Sequence, residues 1–265
     1  MNDTRRKDMS PTTKEAVKSQ FSKQAEFYSR STSHSEGESL ELMVKWAEPK
    51  TTDIVLDIAT GTGFTAFAFS PHVTKVVATD MTQAMLEQAE KLLKERNLSN
   101  IEFKLAEAES LPFGDNEFDV ITCRIAPHHF SSIEKFLSEA KRVVKSTGRI
   151  LIADTTCPEN LQVAKWQNGV EKLRDLSHVY NYSLSRWKEF IEKSGLKVEK
   201  STIISSPTMS FSNWVERSGS NKNVILELRK RFLEAPSNVK EIFGIKEENG
   251  EIFFYWEIIV LKAIK

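Results

Sequence analysis

Apolar side chains in the first fifty residues recur at helical spacing. Val17, Phe21, Ala25 and Tyr28 stand three to four positions apart within residues 14–30. Leu40, Met43, Val44 and Trp46 do the same within residues 38–48. Two amphipathic helices joined by a polar loop at 31–37 are therefore expected. From residue 54 the rhythm changes. Ile54-Val55-Leu56-Asp57-Ile58 is a short, almost wholly apolar run, and so are 75–79, 101–105, 118–123 and 149–153. Helical stretches separate these runs at 64–69, 82–95 and 131–145. The last carries Ile133, Phe136, Leu137, Ala140, Val143 and Val144 on one stripe, and Ser131 with Glu134 forms a candidate capping box at its start. Short apolar strands alternating with amphipathic helices predict an α/β fold, with a mostly parallel sheet covered on both faces.

Beyond Pro158 the pattern loosens. Helices are expected at 161–176, 185–193, 211–217 and 224–232, a strand at 198–205 and a long final strand at 252–264. No repeat or low-complexity linker interrupts the chain. Residues 14–265 are read as a single domain with an added helical cap, behind a disordered polar tail at 1–13. Within it, 14–48 would supply lid helices, 52–155 a cofactor-binding half and 156–265 a substrate-binding half.

Composition narrows the functional classes. Of 265 residues, 40% are hydrophobic and 28% charged, which excludes global disorder. Lys+Arg and Asp+Glu both number 37, so the chain lacks the basic excess of a dedicated nucleic-acid binder. The longest apolar stretch, 252–261, is broken by Glu257 and falls short of the ~18 residues of a membrane span. The N-terminus carries no apolar signal core. Cys123 and Cys157 are too few for a disulfide framework or a four-thiolate zinc site, and no HxxxH or CxxC spacing suggests another metal. A cytoplasmic protein, monomeric or homodimeric, is expected, without membrane or nucleic-acid partners.

The chemistry concentrates after the first strand, in Asp57-Ile58-Ala59-Thr60-Gly61-Thr62-Gly63. Glycine is scarce here, 10 in 265 residues against an average of ~7%. Two glycines one residue apart, at the carboxyl end of a parallel strand, let the backbone turn sharply and approach a ligand. Asp80 ends the second strand nineteen residues after Gly61, where a carboxylate can hold both ribose hydroxyls of an adenosine. Gly61 to Ala66 also satisfies G-x-G-x-x-G/A, so a nicotinamide dinucleotide competes on that motif alone. Three features favour a ligand with a cationic amino group instead. Asp57 stands before the glycines, where it would face a pyrophosphate. Two helices precede the loop and could cover a pocket. An acidic stretch, Glu107-Ala108-Glu109, follows the third strand, where it can meet an adenine amine.

Taken in order, VLDIATGTG, VVATDMT, AEAESLPF and FDVITCR resemble the successive motifs of class I S-adenosylmethionine-dependent methyltransferases over residues 40–155. The small-molecule group that includes the ubiquinone/menaquinone biosynthesis C-methyltransferases is the nearest type. That resemblance implies a Rossmann-like seven-stranded sheet with one antiparallel strand, the last. It implies S-adenosyl-L-methionine as cofactor. Gly61 and Gly63 would shape the loop against it, and Asp57 would order that loop or meet the methionyl amine. Asp80 would hold the ribose, Met81 pack on adenine, Glu107 and Ala108 read the adenine edge, and the backbone near Arg124 reach the methionyl part. Two positions depart from the pattern. Ala59 replaces the first glycine, which is tolerated if that residue keeps φ negative, and Glu107 stands where Asp is commoner.

Methyl transfer asks the protein to place a nucleophile and, for many carbon and hydroxyl acceptors, to remove a proton. His128 and His129 follow the fourth strand, beside the expected sulfonium, and a neutral histidine there could be a base near neutral pH. The alternative has one of them bonding backbone at a helix start and the other facing solvent. His178 lies in Arg174-Asp175-Leu176-Ser177-His178, where Asp175 could orient its ring; a surface helix end is the competing reading. His34 could close over the pocket. The expected activity is methyl transfer to carbon or oxygen of a small organic acceptor. No D/N-P-P-Y/F string, typical of amino-group methylases, follows strand four. An RNA or protein methylase, a non-catalytic cofactor-binding regulator and a nicotinamide-dependent oxidoreductase remain as alternatives.

Overall fold

The computed structural model describes residues 13–29 and 37–265. The expected tail before residue 13, the loop carrying His34, and the Tyr28 side chain lie outside the described residues.

Two helices, α1 (Thr13–Ser29) and α2 (Glu38–Ala47), precede β1 (Ile54–Ile58). There follow α3 (Phe64–Phe69), β2 (Lys75–Asp80), α4 (Gln83–Glu95), β3 (Ile101–Leu105), β4 (Phe118–Arg124), α5 (Ile133–Val143) and β5 (Val144–Thr156). The second half holds α6 (Leu161–Arg174), α7 (Leu184–Lys193), β6 (Lys197–Ser205), β7 (Met209–Ser210), α8 (Phe211–Glu216), α9 (Lys222–Leu233), α10 (Ser237–Phe243), β8 (Lys246–Glu248), β9 (Glu251–Phe254) and β10 (Glu257–Ile264).

The main sheet has seven strands in the order β3-β2-β1-β4-β5-β10-β6. β10 runs antiparallel to both neighbours, and the pairs among β1 to β5 are parallel. The strands read as continuous apolar runs because each alternate residue is buried on a different face. Leu56, Ile58, Val77, Ile121 and Ile152 pack with Phe136 and Leu137 of α5 and Trp187 of α7. Val55, Val76, Val120 and Leu151 pack with Met43 of α2 and Phe67 of α3. A third apolar cluster joins α6, α8, α9, α10 and β9 around Trp214, Phe232 and Trp256.

The order of elements agrees with the sequence pattern, and three details differ. The stretch 252–264 is two strands. β9 pairs with β7 and β8 in a separate three-stranded sheet, while β10 enters the main sheet. The break falls at Tyr255 and Trp256. The buried Trp256 indole donates from Nε1 to Glu171 at 2.5 Å, and its backbone pairs with Ser206. That anchorage turns the chain from one sheet to the other without disturbing the apolar alternation. The expected capping box is displaced by one residue. Ser132, not Ser131, caps α5, its Oγ accepting from the Lys135 N–H at 3.2 Å and donating to Glu134 at 3.1 Å. The short elements α10, β7 and β8 were not expected.

Arg149 fastens α2 to the sheet. Its guanidinium donates to the Ala47 and Glu48 carbonyls and meets the buried Asp53 carboxylate at 2.6 Å. Removing one partner of a buried pair leaves the other charge uncompensated. Arg149→Met is therefore expected to lower unfolding free energy by about 3 kcal/mol. A urea midpoint within error of wild type would contradict that role.

Candidate active site

A cleft opens at the carboxyl ends of β1, β2 and β4, where open α/β sheets hold their ligands. It is open to solvent, and its walls come from the ends of these strands, the loops that follow them and α1. Its floor is the loop after β1. Ala59, Gly61 and Gly63 all have positive φ, at 55°, 56° and 91°. Ala59 thus does not meet the condition of a negative φ under which alanine would replace the glycine freely. The tight turn needs the left-handed conformation there, at a cost of ~1 kcal/mol for a residue with a Cβ. The cost is met by bonds around it. Thr60 N–H donates to the Thr79 carbonyl at 2.7 Å, and the Thr60 hydroxyl donates to Asp57 at 2.5 Å. The two glycines serve different ends. A Cβ at Gly61 would meet no atom within 4 Å, so that backbone is bare toward the cleft. A Cβ at Gly63 would stand 2.8 Å from the Phe67 ring, so that glycine admits the packing of α3.

Asp57 is buried and does not line the cleft. Its two oxygens accept from Thr60 and, at 2.7 Å, from Thr122 on β4. Of the two roles expected for it, this geometry serves ordering of the loop. Burial pushes its carboxyl up to about 6, against the two threonine hydroxyls and the Arg124 charge. Asp80 lines the cleft. One oxygen accepts from Gly61 N–H at 2.9 Å and the other from Thr82 N–H at 2.8 Å. Each oxygen keeps a lone pair for an outside donor. A carboxylate with two acceptor sites beside a bare Gly61 backbone fits an adenosine ribose.

Met81, Glu107, Ala108 and Arg124 also line the cleft. Glu107 pairs with Lys14 of α1 at 2.5 Å, and that hydrogen bond raises the Lys14 ammonium. Arg124 donates from Nε to the Ser39 hydroxyl at 3.2 Å, and burial pushes it down to about 10 despite Asp57. The next residue, Ile125, has φ 50°, rare for a β-branched side chain. Its N–H is held by the Ala153 carbonyl at 2.7 Å. This strained corner turns the chain out of β4 into the 3₁₀ turn Pro127–His129.

That turn gathers the histidines. The His128 ring lies 4.1 Å from His129 and 5.7 Å from His178 between centroids. Of the three, His129 lines the cleft. His128 and His178 point into protein. His128 Nδ1 meets Asp154 at 2.6 Å; burial opposes its charge, but Asp154 outweighs burial and holds the ring above its ordinary value. His178 bonds Asn168 at 3.0 Å, and burial pushes it down to about 2. His178 is buried, so it is not a surface helix end. Asp175, the expected partner of His178, instead serves His129 through Ser177. Sequence reasoning missed Asp154, although a signal existed: it stands near the carboxyl end of a parallel strand, as Asp57 and Asp80 do.

With this geometry in view, likeness to known proteins is informative. A family model described as a methyltransferase domain matches residues 49–205. The uncharacterized methyltransferase YcgJ of Bacillus subtilis (strain 168) is 37% identical over 247 residues, spanning 92% of this chain and 97% of YcgJ. The chain belongs to the methyltransferase domain family. A crystal structure of a Bacillus halodurans C-125 protein superposes with a TM-score of 0.82 at 36% identity, covering 86% of this chain and 98% of that one. The ubiquinone/menaquinone biosynthesis C-methyltransferase UbiE of Zymomonas mobilis is 39% identical over 106 residues, 40% of this chain and 44% of UbiE. The Rossmann-like seven-stranded fold and the class I methyltransferase reading of the motifs both hold.

The raised Asp57 value gives a pH test. The folded state binds this proton more tightly than the unfolded chain. The stabilisation is present below about pH 4 and is lost as pH rises through about 6. Asp57→Asn is expected to gain ~2–3 kcal/mol over wild type between pH 4 and pH 7. Denaturant titrations at the two pH values measure it, and an equal difference at both would contradict it.

Proposed function

We propose that this methyltransferase transfers the methyl group of S-adenosyl-L-methionine to carbon or oxygen of a small organic acceptor. The observation that carries the cofactor half is the Asp80–Gly61 couple on the cleft floor. In this reading Asp80 takes the ribose hydroxyls, Met81 faces the adenine, and Glu107 with Ala108 meets the adenine edge. Arg124 attends the methionyl end. The cofactor supplies an electrophilic methyl sulfonium. The protein positions the acceptor, excludes water and handles the acceptor's hydrogen.

A small acceptor is supported by the cover over the cleft. Lys14 of α1 pairs with Glu107, and Phe21 sets its ring edge against His129 at 5.0 Å. These contacts cover part of the cleft mouth, which suits a small acceptor better than a polymer. The UbiE likeness, local to the cofactor-binding region, favours carbon among the acceptors. Helices α1 and α2 act as the lid, 52–155 hold the cofactor, and 156–265 build the acceptor side. The two cysteines, buried with thiols pushed up by burial (Cys157 to about 12), take no part and suit a reducing cytoplasm.

His129 is the acceptor-facing histidine. Burial first, then the His128 charge, pushes it down to about 3, against the nearby Asp175. It stays neutral across physiological pH and orients the acceptor through a hydrogen bond, in place of the neutral-pH base that a free imidazole would supply. His128 and His178 support it from behind.

Isothermal titration of ligand-free protein with S-adenosyl-L-methionine is expected to show saturable binding, with NADH silent. Asp80→Ala is expected to weaken that binding ~10–100-fold, the loss of hydrogen bonds to a charged group. Binding of NADH but not S-adenosyl-L-methionine would overturn the reading.

A further inference from the structure

The polar chain behind His129 has a direction. Asp175 is buried, and its Oδ1 accepts two hydrogen bonds from Ser177: from the backbone N–H at 2.8 Å and from the hydroxyl at 2.6 Å. Burial opposes the Asp175 charge, but the Ser177 hydrogen bonds and the Arg174 charge help to outweigh it, and the carboxyl is held below its ordinary value. A carboxylate has nothing to donate. The Ser177 hydroxyl hydrogen is therefore committed to Asp175, leaving only oxygen lone pairs for its other neighbour. That neighbour is His129 Nδ1, at 3.1 Å. The hydrogen bond between them requires the proton on Nδ1. In a neutral ring Nε2 is then the bare nitrogen. Among the described residues Nε2 makes no hydrogen bond, and the ring lines the cleft.

We propose that Ser177 and Asp175 are positioning residues that fix His129 as its Nδ1–H tautomer, so that this wall of the cleft presents a lone pair and selects acceptors carrying a hydroxyl or amine hydrogen there. This assignment of acceptor class rests on the methyl-transfer reading; the tautomer itself does not. Such a wall disfavours a carbonyl or ether oxygen at the same place, because two acceptors would face each other without a hydrogen between them. Neighbouring charge supports the arrangement. The His128 ring, paired with Asp154, stands at 4.1 Å and discourages a second proton on His129. A solvent-exposed neutral histidine side chain prefers its proton on Nε2, so the proposed state is a measurable departure.

The test is long-range proton–nitrogen correlation spectroscopy on the full chain labelled with ¹⁵N-histidine, with His129→Gln identifying the His129 signals. Wild type is expected to show Nδ1 protonated and Nε2 bare, unchanged from pH 5 to 8. Ser177→Ala is expected to shift the tautomer ratio toward Nε2–H on the order of tenfold, the worth of one hydrogen bond. Ser177→Thr, which keeps the hydroxyl, is expected to retain the wild-type pattern. An Nε2–H or doubly protonated ring in wild type overturns the proposal. So does a Ser177→Ala spectrum unchanged in a folded protein, or loss of the pattern in both variants. Titration with S-adenosyl-L-homocysteine on the same samples separates the two readings: binding tests the cofactor site and leaves the tautomer result standing either way.

Discussion

The buried carboxylate of Asp57 is the constraint on which the cleft depends. It sits at the end of β1, between β2 and β4, and ties three pieces of chain together. One oxygen takes the Thr60 hydroxyl of the loop and the other takes Thr122 of β4. The loop can then pass through three left-handed residues without coming loose. Its far end is held by the second carboxylate, Asp80, through Gly61. Burying Asp57 is unfavourable by itself, as its raised value shows. The cost is the familiar one of a preorganised site, where local strain is borne by the surrounding structure. Ile125 repeats the device on the other side of the cleft, with its strained backbone fastened to β5 at Ala153.

A second polar layer stands behind the acceptor wall. His128, His129 and His178 stand side by side, yet they are electrically unlike. His128 has a carboxylate of its own and is held toward the charged form, while His129 and His178 are pushed toward neutrality by burial and by that charge. Environment thus divides three identical side chains, favouring the proton on one and disfavouring it on two. The neutral ring at the cleft is suited to orienting a ligand; His128, away from the cleft and paired with Asp154, is suited to holding the turn and tuning its neighbour.

Much of the fold was legible because its signals are local. The strands announce themselves as apolar runs, and α5 as a single stripe from Ile133 to Val143. Errors arose where two local solutions look alike. Residues 252–264 alternate throughout, and only Trp256 anchored on Glu171 shows why the chain changes sheets. Ser131 and Ser132 are both competent caps, and Glu109, accepting from the Ser132 N–H, helps to fix the choice. Alanine at position 59 prefers a negative φ, but the turn geometry overrides the preference.

The sequence by itself determined the α/β order of elements, the loop from Asp57 to Gly63, the acid at Asp80 and the paired histidines. Each is a matter of spacing along a strand or across one turn. Only the tertiary structure decided which histidine meets the cleft and what stands behind it. His129 reaches Ser177 across 48 positions, and His128 reaches Asp154 across 26. Such partners are chosen by the packing of α6 and the segment after it onto the end of β5. Hydrogen bonds between distant side chains leave no periodicity in a sequence, because their geometry exists only once the apolar faces have been buried.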